Sequence, residues 1–346
     1  MSPFSSDLGV RIDWLQFTIP CIPVFEPFRR FSNSLAADLH DELIQSSHGV
    51  VQGRAYSRSA RSVRGLLVAY NPPDEVPGDG FVGIPGDCLR ALSGREVWRL
   101  CNWISAQSLP VRFTRVDVAL DDFTRGDWIP APSVVLRHAE NGDYCRYRSH
   151  SFTGSYDAGA TSSLTVYFGS RHSDRFVRFY DKSAESQGLI DSHRLELVSR
   201  GSFAGEVVSR FVSSEWDDSQ QWSLTGWISQ AIDFRDRSSA PAEVHLDRLP
   251  RVEWWDRLSR VLSSVSYSVP VVKPLLADKL WWLDQQVSPT LAIVREVYGS
   301  YQYSRYVKRL ADVGLSRLRE DQLALIRLAR LEIQDLDSDP STLRFS

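Results

Sequence analysis

The sequence predicts an α+β protein, with a mainly antiparallel sheet in residues 1–205 and a mostly helical region in residues 206–346. Stretches rich in β-branched and aromatic residues, with period-two alternation, recur between residues 10 and 199. The links between the last of them are too short for parallel crossovers. After about residue 205 the alternation gives way to helical spacing punctuated by Trp216, Trp222, Trp227, Trp254, Trp255, Trp281 and Trp282. Regular strand–helix alternation and a Gly-rich phosphate loop are both missing, which argues against a doubly wound nucleotide fold.

In chain order, residues 10–19 (VRIDWLQFTI) read as a strand. Residues 26–44 have helical spacing, with Phe28, Phe31, Leu35, Leu39 and Leu43 near one face. The segment 54–65 carries Arg54, Arg58, Arg61 and Arg64 and no acid. It is either a hairpin edge protected by charge or a phosphate-contacting element. Short strands are expected at 65–70 and 81–84, around the turn-rich NPPDEVPGDG, followed by a helix at 87–106. A strong strand at 111–123 follows Pro110, and the PAP tripeptide opens a helix at 133–140. Strands at 145–152, 163–169, 175–182 and 192–199 complete the sheet. Residues 317–336 read as an amphipathic helix, and the tryptophan pairs as helix-packing core.

Composition bounds the function. The 346 residues are 42% hydrophobic and include 11 Trp, 12 Tyr and 16 Phe, which excludes wholesale disorder. Forty-three acidic against 40 basic residues give a formal charge of −3. Coating of nucleic acid by bulk positive charge is thereby excluded, while a locally basic groove is not. Cys21, Cys88, Cys101 and Cys145 are far apart, which argues against a zinc knuckle or a disulfide framework and fits a reduced, cytoplasmic protein. No signal peptide is expected. Nothing approaches the roughly 18 consecutive apolar residues of a membrane span, so no membrane association is expected.

Three strands carry the chemistry. In RVDVALDDF, alternation places Arg115, Asp117, Ala119 and Asp121 opposite Val116, Val118 and Leu120. In HRLELVSRG, Arg194 and Glu196 lie opposite Leu195 and Leu197, and in DRFVRFYDK, Arg178, Tyr180 and Lys182 share a face. One such strand is an ordinary half-solvated sheet face. Three with complementary carboxylates, cations and a tyrosine point to a site. Residues four apart on a straight strand stand roughly 13 Å apart, so Asp117 and Asp121 cannot share one ion without a bulge or sharp twist. Asp117 and Glu196 converging from neighbouring strands make the more economical pair, with Asp121 in support at the strand end. Carboxylate oxygens suit Mg²⁺ or Mn²⁺ rather than zinc. There is no H-x-H pair, and His172 reads as a surface turn residue in GSRHSD.

At these strands the sequence resembles rolling-circle replication initiators of the Rep-trans type. That family takes in plasmid initiators, filamentous-phage replication initiation factors and relaxases of conjugative elements. The matching segments are RVDVALDDF (115–123), TVYFGSRHSDRFVRFYDKSAE (165–185) and RLELVSRG (194–201), with weaker echoes in RIDWLQFTI and KLWWLDQQVSPTLAIV. The resemblance implies nicking of one DNA strand at an origin by a tyrosine, giving a 5′-phosphotyrosyl intermediate and a free 3′-OH, with later rejoining. It puts the nucleophile at Tyr180 and the metal ligands at Asp117 and Glu196, with Asp121 as a further one. Arg178, Lys182 and Arg171 would hold the phosphate. Tyr167, earlier in the same segment, is the rival nucleophile. Arg54, Arg58, Arg61, Arg64 and Arg115 are the candidate DNA contacts, Mg²⁺ or Mn²⁺ the expected cofactor, and origin DNA, a host helicase and a second copy of the chain the expected partners. Two other readings stand beside it: a relaxase that initiates conjugative transfer, and a non-catalytic DNA-binding regulator.

Overall fold

The computed structural model describes residues 7–19, 34–35, 43–46, 49–51, 54–71, 79–107, 111–157, 160–217, 219–238, 245–262, 283, 287–318, 322–323 and 326. Two compact units divide the chain, Met1–Ser268 and Val269–Ser346. In chain order the strands of the first unit are β1 (Leu8–Ile19), β2 (Ile44–Ser46), β3 (Gly49–Val51), β4 (Arg54–Tyr56), β5 (Arg58–Arg61), β6 (Leu67–Asn71) and β7 (Asp79–Pro85). They continue with β8 (Arg112–Asp122), β9 (Tyr144–Cys145), β10 (His150–Asp157), β11 (Ala160–Phe168), β12 (Arg175–Asp181), β13 (His193–Arg200) and β14 (Asp233–Phe234).

Ten of these form one sheet in the order β10-β11-β12-β13-β8-β1-β7-β6-β5-β2. Every adjacent pair in it is antiparallel. Short links make hairpins of β5–β6, β6–β7, β10–β11, β11–β12 and β12–β13, whereas β13–β8, β8–β1, β1–β7 and β5–β2 join strands that are not consecutive in the chain. Strands β3 with β4, and β9 with β14, make separate two-stranded ladders.

One face of the sheet is apolar. Val10, Ile12, Val116, Val118, Leu120, Val166, Phe168, Val177, Phe179, Leu195 and Leu197 are all buried. The helix Ser202–Phe211 lays Ala204, Val207, Val208 and Phe211 against β8 and β13. The helix Pro132–Glu140 packs on β11 and β12 and Thr225–Ala231 on β8, β12 and β13, and Glu253–Leu262 backs Thr225–Ala231. Trp254 and Trp255 join Phe179 and Phe234 in an aromatic cluster, as core packing requires. The buried Asp233 carboxylate pins this cluster, accepting from Trp255 Nε1 at 2.6 Å and pairing with Arg235 and Arg251. Helices up to Leu262 therefore belong to the same compact unit as the sheet, and the change of character after residue 205 is one from strand to helix within it.

Local differences from the sequence reading have local causes. The helix expected at 87–106 is two, Gly86–Leu89 and Gly94–Ser105. Ser93 starts the second by accepting from the Glu96 amide while the Glu96 carboxylate accepts from the Ser93 amide, a reciprocal cap. The strand expected at 145–152 splits into β9 and β10, with Arg146 at φ 77, in the left-handed region that a strand cannot contain. Most of 26–44 and of 317–336, and Trp281 and Trp282, lie outside the described residues. Within them, Ile44 opens β2. In the second unit the helix Ser288–Leu315 is interrupted at Gly299, whose φ of 72 only glycine adopts freely. Among the described residues no helix is long and apolar enough to cross a membrane.

Candidate active site

The polar face of the sheet opposes the helices, and its centre is built by β1, β8, β12 and β13. Register places Glu196 between Arg178 of β12 and Ala119 of β8, and Arg194 between Tyr180 and Asp121. Asp117 lies one step further along β8, opposite Val198. The ladder thus brings together Asp117, Asp121, Arg178, Tyr180, Arg194 and Glu196.

Hydrogen bonds organise these groups into two clusters. In the first, Glu196 is fully buried and accepts from the Tyr180 hydroxyl at 2.6 Å and from Arg178 Nη2 on its other oxygen. Asp117 accepts from Arg115 Nε at 2.8 Å, and its Oδ2 lies 3.9 Å from Arg178 Nη2. In the second, Arg194 grips Asp121 through Nε and Nη2 at 2.7 and 2.8 Å, and its Nη1 lies 2.7 Å from Asp13. Ser192 also donates to Asp121, so both oxygens of that carboxylate are taken. Lys182 is buried, pairs with Glu185, and stands 5.8 Å from the Tyr180 ring centroid and 4.0 Å from Asp13.

These contacts set the protonation of the site. Burial favours a neutral Glu196, but Arg178, Arg194 and the Tyr180 hydroxyl outweigh it and hold the carboxyl at about 2. Burial pushes Asp117 up to about 7, with the like charge of Glu196 acting in the same direction against Arg115 and Arg178. Burial, then the charge of Glu196, pushes the Tyr180 phenol well above its ordinary value. The neighbouring Asp122 serves a different end: its carboxylate gathers the amides of Thr124, Gly126, Trp128 and Ile129 into a loop.

Asp13 is the site residue that the sequence reading misses. β1 carries a bulge here: Ile12 pairs with Val118 and Trp14 with Asp117, leaving Asp13 as the extra residue. The bulge turns its carboxylate toward Arg194 and Lys182. Gly86 leaves it room, since a Cβ there would stand 2.7 Å from Asp13 Oδ1. A signal was present. Apolar residues alternate at Val10 and Ile12, then skip a step to Leu15, Phe17 and Ile19.

The other candidates are more dispersed. Tyr167 is half-buried on β11, opposite Arg178, and Arg171 lies over its ring at 5.1 Å. Arg58 and Arg61 are exposed but at alternating parity, on opposite faces of β5. Arg61 is on the polar face, in one row with Leu67, Gly83, Gln16 and Arg115. Arg64 lies in the turn after β5. Arg54 opens β4, and its side chain lies outside the described residues. Arg58 and Arg61 therefore do not share one face.

Asp117 and Glu196 offer oxygen donors of the kind Mg²⁺ and Mn²⁺ prefer. As arranged, both are engaged by guanidinium groups, and among the described residues no three His, Cys, Asp or Glu side chains are grouped to hold an ion.

Comparison with known proteins settles the lineage. The family model of the replication initiation factors, Rep_trans, matches residues 111–310, more than half of the chain and all of β8, β12 and β13. The chain belongs to the Rep_trans family of replication initiation factors. A relative in Bacillus subtilis (strain 168), named "Putative DNA relaxase NicK", is 40% identical over 76 residues. That match spans 21% of this chain and 21% of the relative. The solved structure of a rolling circle replication initiator protein from Geobacillus stearothermophilus shares the fold. It superposes with a TM-score of 0.58 at 21% identity and covers 74% of this chain and 97% of that one.

Proposed function

We propose that this replication initiation factor starts rolling-circle replication by nicking one strand of origin DNA, with Tyr180 as the nucleophile. The observation that carries the proposal is the Tyr180–Glu196–Arg178 constellation: a phenol whose proton points at a buried carboxylate, beside a guanidinium. Glu196 orients the hydroxyl, which gives up its proton to solvent. The phenolate oxygen then attacks phosphorus, the bond from phosphorus to the 3′ oxygen breaks, and that oxygen leaves as a 3′-OH once protonated. Arg178, with Lys182 nearby, offsets charge on the phosphoryl oxygens. Bond energy is retained in the 5′-phosphotyrosine, so attack by a 3′-OH reseals the strand.

Around this centre, guanidinium groups lie over aromatic rings on the same face or its turn, Arg115 over Trp14, Arg171 over Tyr167 and Arg200 over Phe176. Stacking surfaces beside cations suit single-stranded DNA. The proposal includes a divalent ion, Mg²⁺ or Mn²⁺, at Asp117 and Glu196, which when bound would neutralise charge on the scissile phosphate. A host helicase and a second copy of the chain complete the set of partners we assign to it.

Two observations favour variants of this reading. Tyr167 is the more open phenol, half-buried where Tyr180 is 5% exposed, and it could be the group that attacks. The NicK similarity fits a relaxase, which would use the same chemistry to launch strand transfer. The deciding experiment incubates the wild type, Tyr180→Phe and Tyr167→Phe with supercoiled DNA carrying the origin and Mn²⁺, and maps the DNA-linked peptide. We expect the adduct on Tyr180, and its loss in Tyr180→Phe alone. An adduct that persists there and disappears in Tyr167→Phe exchanges the roles. No nicking by wild type under any metal condition would return the protein to a DNA-binding regulator.

A further inference from the structure

The two carboxylates best placed for a divalent ion are already neutralised from within the protein. Arg178 Nη2 contacts Glu196 Oε1 and lies 3.9 Å from Asp117 Oδ2, so one guanidinium group stands where an ion shared by both would stand. Asp117 has Arg115 in addition, and the remaining Glu196 oxygen holds the Tyr180 hydroxyl. Exposure separates these groups. The side chains of Asp117 and Glu196 are 2% and 0% exposed, whereas that of Arg178 is 27% exposed. Arg178 is the member with a path outward.

We propose that Arg178 is a placeholder cation, filling the gap between Asp117 and Glu196 in the free protein and moving onto the scissile phosphate when DNA and the divalent ion bind together. The inference rests on the nicking reading and deepens it by assigning an order to the site. A metal ion arriving alone must displace a guanidinium group from a buried carboxylate and return it to water, which is unfavourable. A phosphodiester changes the balance, because it offers that guanidinium a bidentate anionic partner. The ion's two positive charges are then matched by one negative charge on the phosphodiester and one on the phenolate. Only with all three present does the buried cluster keep its net charge. Ion and DNA therefore bind with positive coupling, and each must raise the affinity of the other by the same factor.

The test follows Mn²⁺ directly, by loss of the free-ion signal in electron paramagnetic resonance. Wild-type protein is titrated alone and with a single-stranded oligonucleotide selected for binding from a random pool. Without DNA the wild type should bind Mn²⁺ weakly, and the oligonucleotide should tighten binding by a factor in the range of about 5- to 150-fold. Arg178→Ala should bind Mn²⁺ more tightly than wild type without DNA, and show little further gain with it. Adding Glu196→Gln to Arg178→Ala should remove the gain and so locate the ion. Arg178→Gln, which keeps a donor for Glu196, guards against a folding defect. Mn²⁺ should raise its melting temperature and leave that of the DNA-free wild type in place. Equal Mn²⁺ affinity in DNA-free wild type and either folded Arg178 variant overturns the proposal, as does wild-type binding unaffected by the oligonucleotide. Wild type that binds Mn²⁺ as described but never nicks DNA would sink the nicking reading and leave the placeholder standing.

Discussion

The Tyr180 hydroxyl is both the proposed nucleophile and part of the buried scaffold, because it supplies one of the bonds that keep Glu196 ionised. Hydrogen bonds to charged groups contribute about 1.5–3 kcal/mol. Tyr180→Phe should therefore lower stability in denaturant by an amount of that order, while Tyr167→Phe should change it by less than about 0.5 kcal/mol, as at most surface positions. Equal losses in the two variants would argue that the Tyr180–Glu196 bond is not held in solution. The carboxylates oppose each other in their pH dependence. Glu196, depressed from 4.5 to about 2, adds stability that is present above the first value and lost as pH falls toward the second. Asp117, raised from 3.8 to about 7, binds more protons folded than unfolded across that window, so its ionisation removes stability as pH rises. The melting temperature of wild type relative to Asp117→Asn should accordingly decline from about pH 4 to pH 7. A flat or rising difference would show that Arg115 and Arg178 dominate over burial.

At the scale of elements, alternation in β8, β12 and β13 was legible, and with it the convergence of Asp117, Glu196, Arg178 and Tyr180 on one face. Period two depends only on backbone geometry, and three strands in phase leave little freedom. The β1 bulge was less legible, since one extra residue shifts Asp13 by a face and only the skip from Ile12 to Leu15 betrays it. Pairing order was not legible either. That β5 lies four strands from β8 is a fact of topology, and it bears directly on the arginines. At about 4.8 Å per strand, Arg61 is roughly 19 Å from Arg115 along one row of the polar face. Single-stranded DNA crossing the sheet along that row would meet both, while Arg58 faces the other way. Arg61→Ala should therefore weaken binding at every sequence tested and reduce the slope of log affinity against log salt by about 0.7, with Arg58→Ala leaving the slope in place. Equal effects would mean that DNA does not follow this row.

Taken whole, the molecule places every residue of the proposed chemistry, from Asp13 to Glu196, and the helices that back the sheet, within Met1–Ser268. The family match nevertheless runs to residue 310, well into Val269–Ser346. In that second unit the helix Ser288–Leu315 buries no side chain among those described. It exposes Arg295, Arg305, Lys308 and Arg309, with Arg305 lying over the Tyr301 ring and Arg309 over the Tyr306 ring. Cations interleaved with aromatics are a better match to nucleic-acid contact than to catalysis. A chain ending after Ser268 should thus unfold cooperatively and still form the tyrosyl adduct at high DNA concentration, since its core and its carboxylates are complete. Its affinity for single-stranded DNA should fall, and the salt slope should shrink by about 0.7 for each phosphate contact removed with the four cations. Adduct yield measured at saturating DNA separates the two effects. A shortened chain that folds and binds DNA with the full-length slope would place all the phosphate contacts on the sheet. A folded chain that binds DNA but forms no adduct would make Val269–Ser346 part of the chemistry itself.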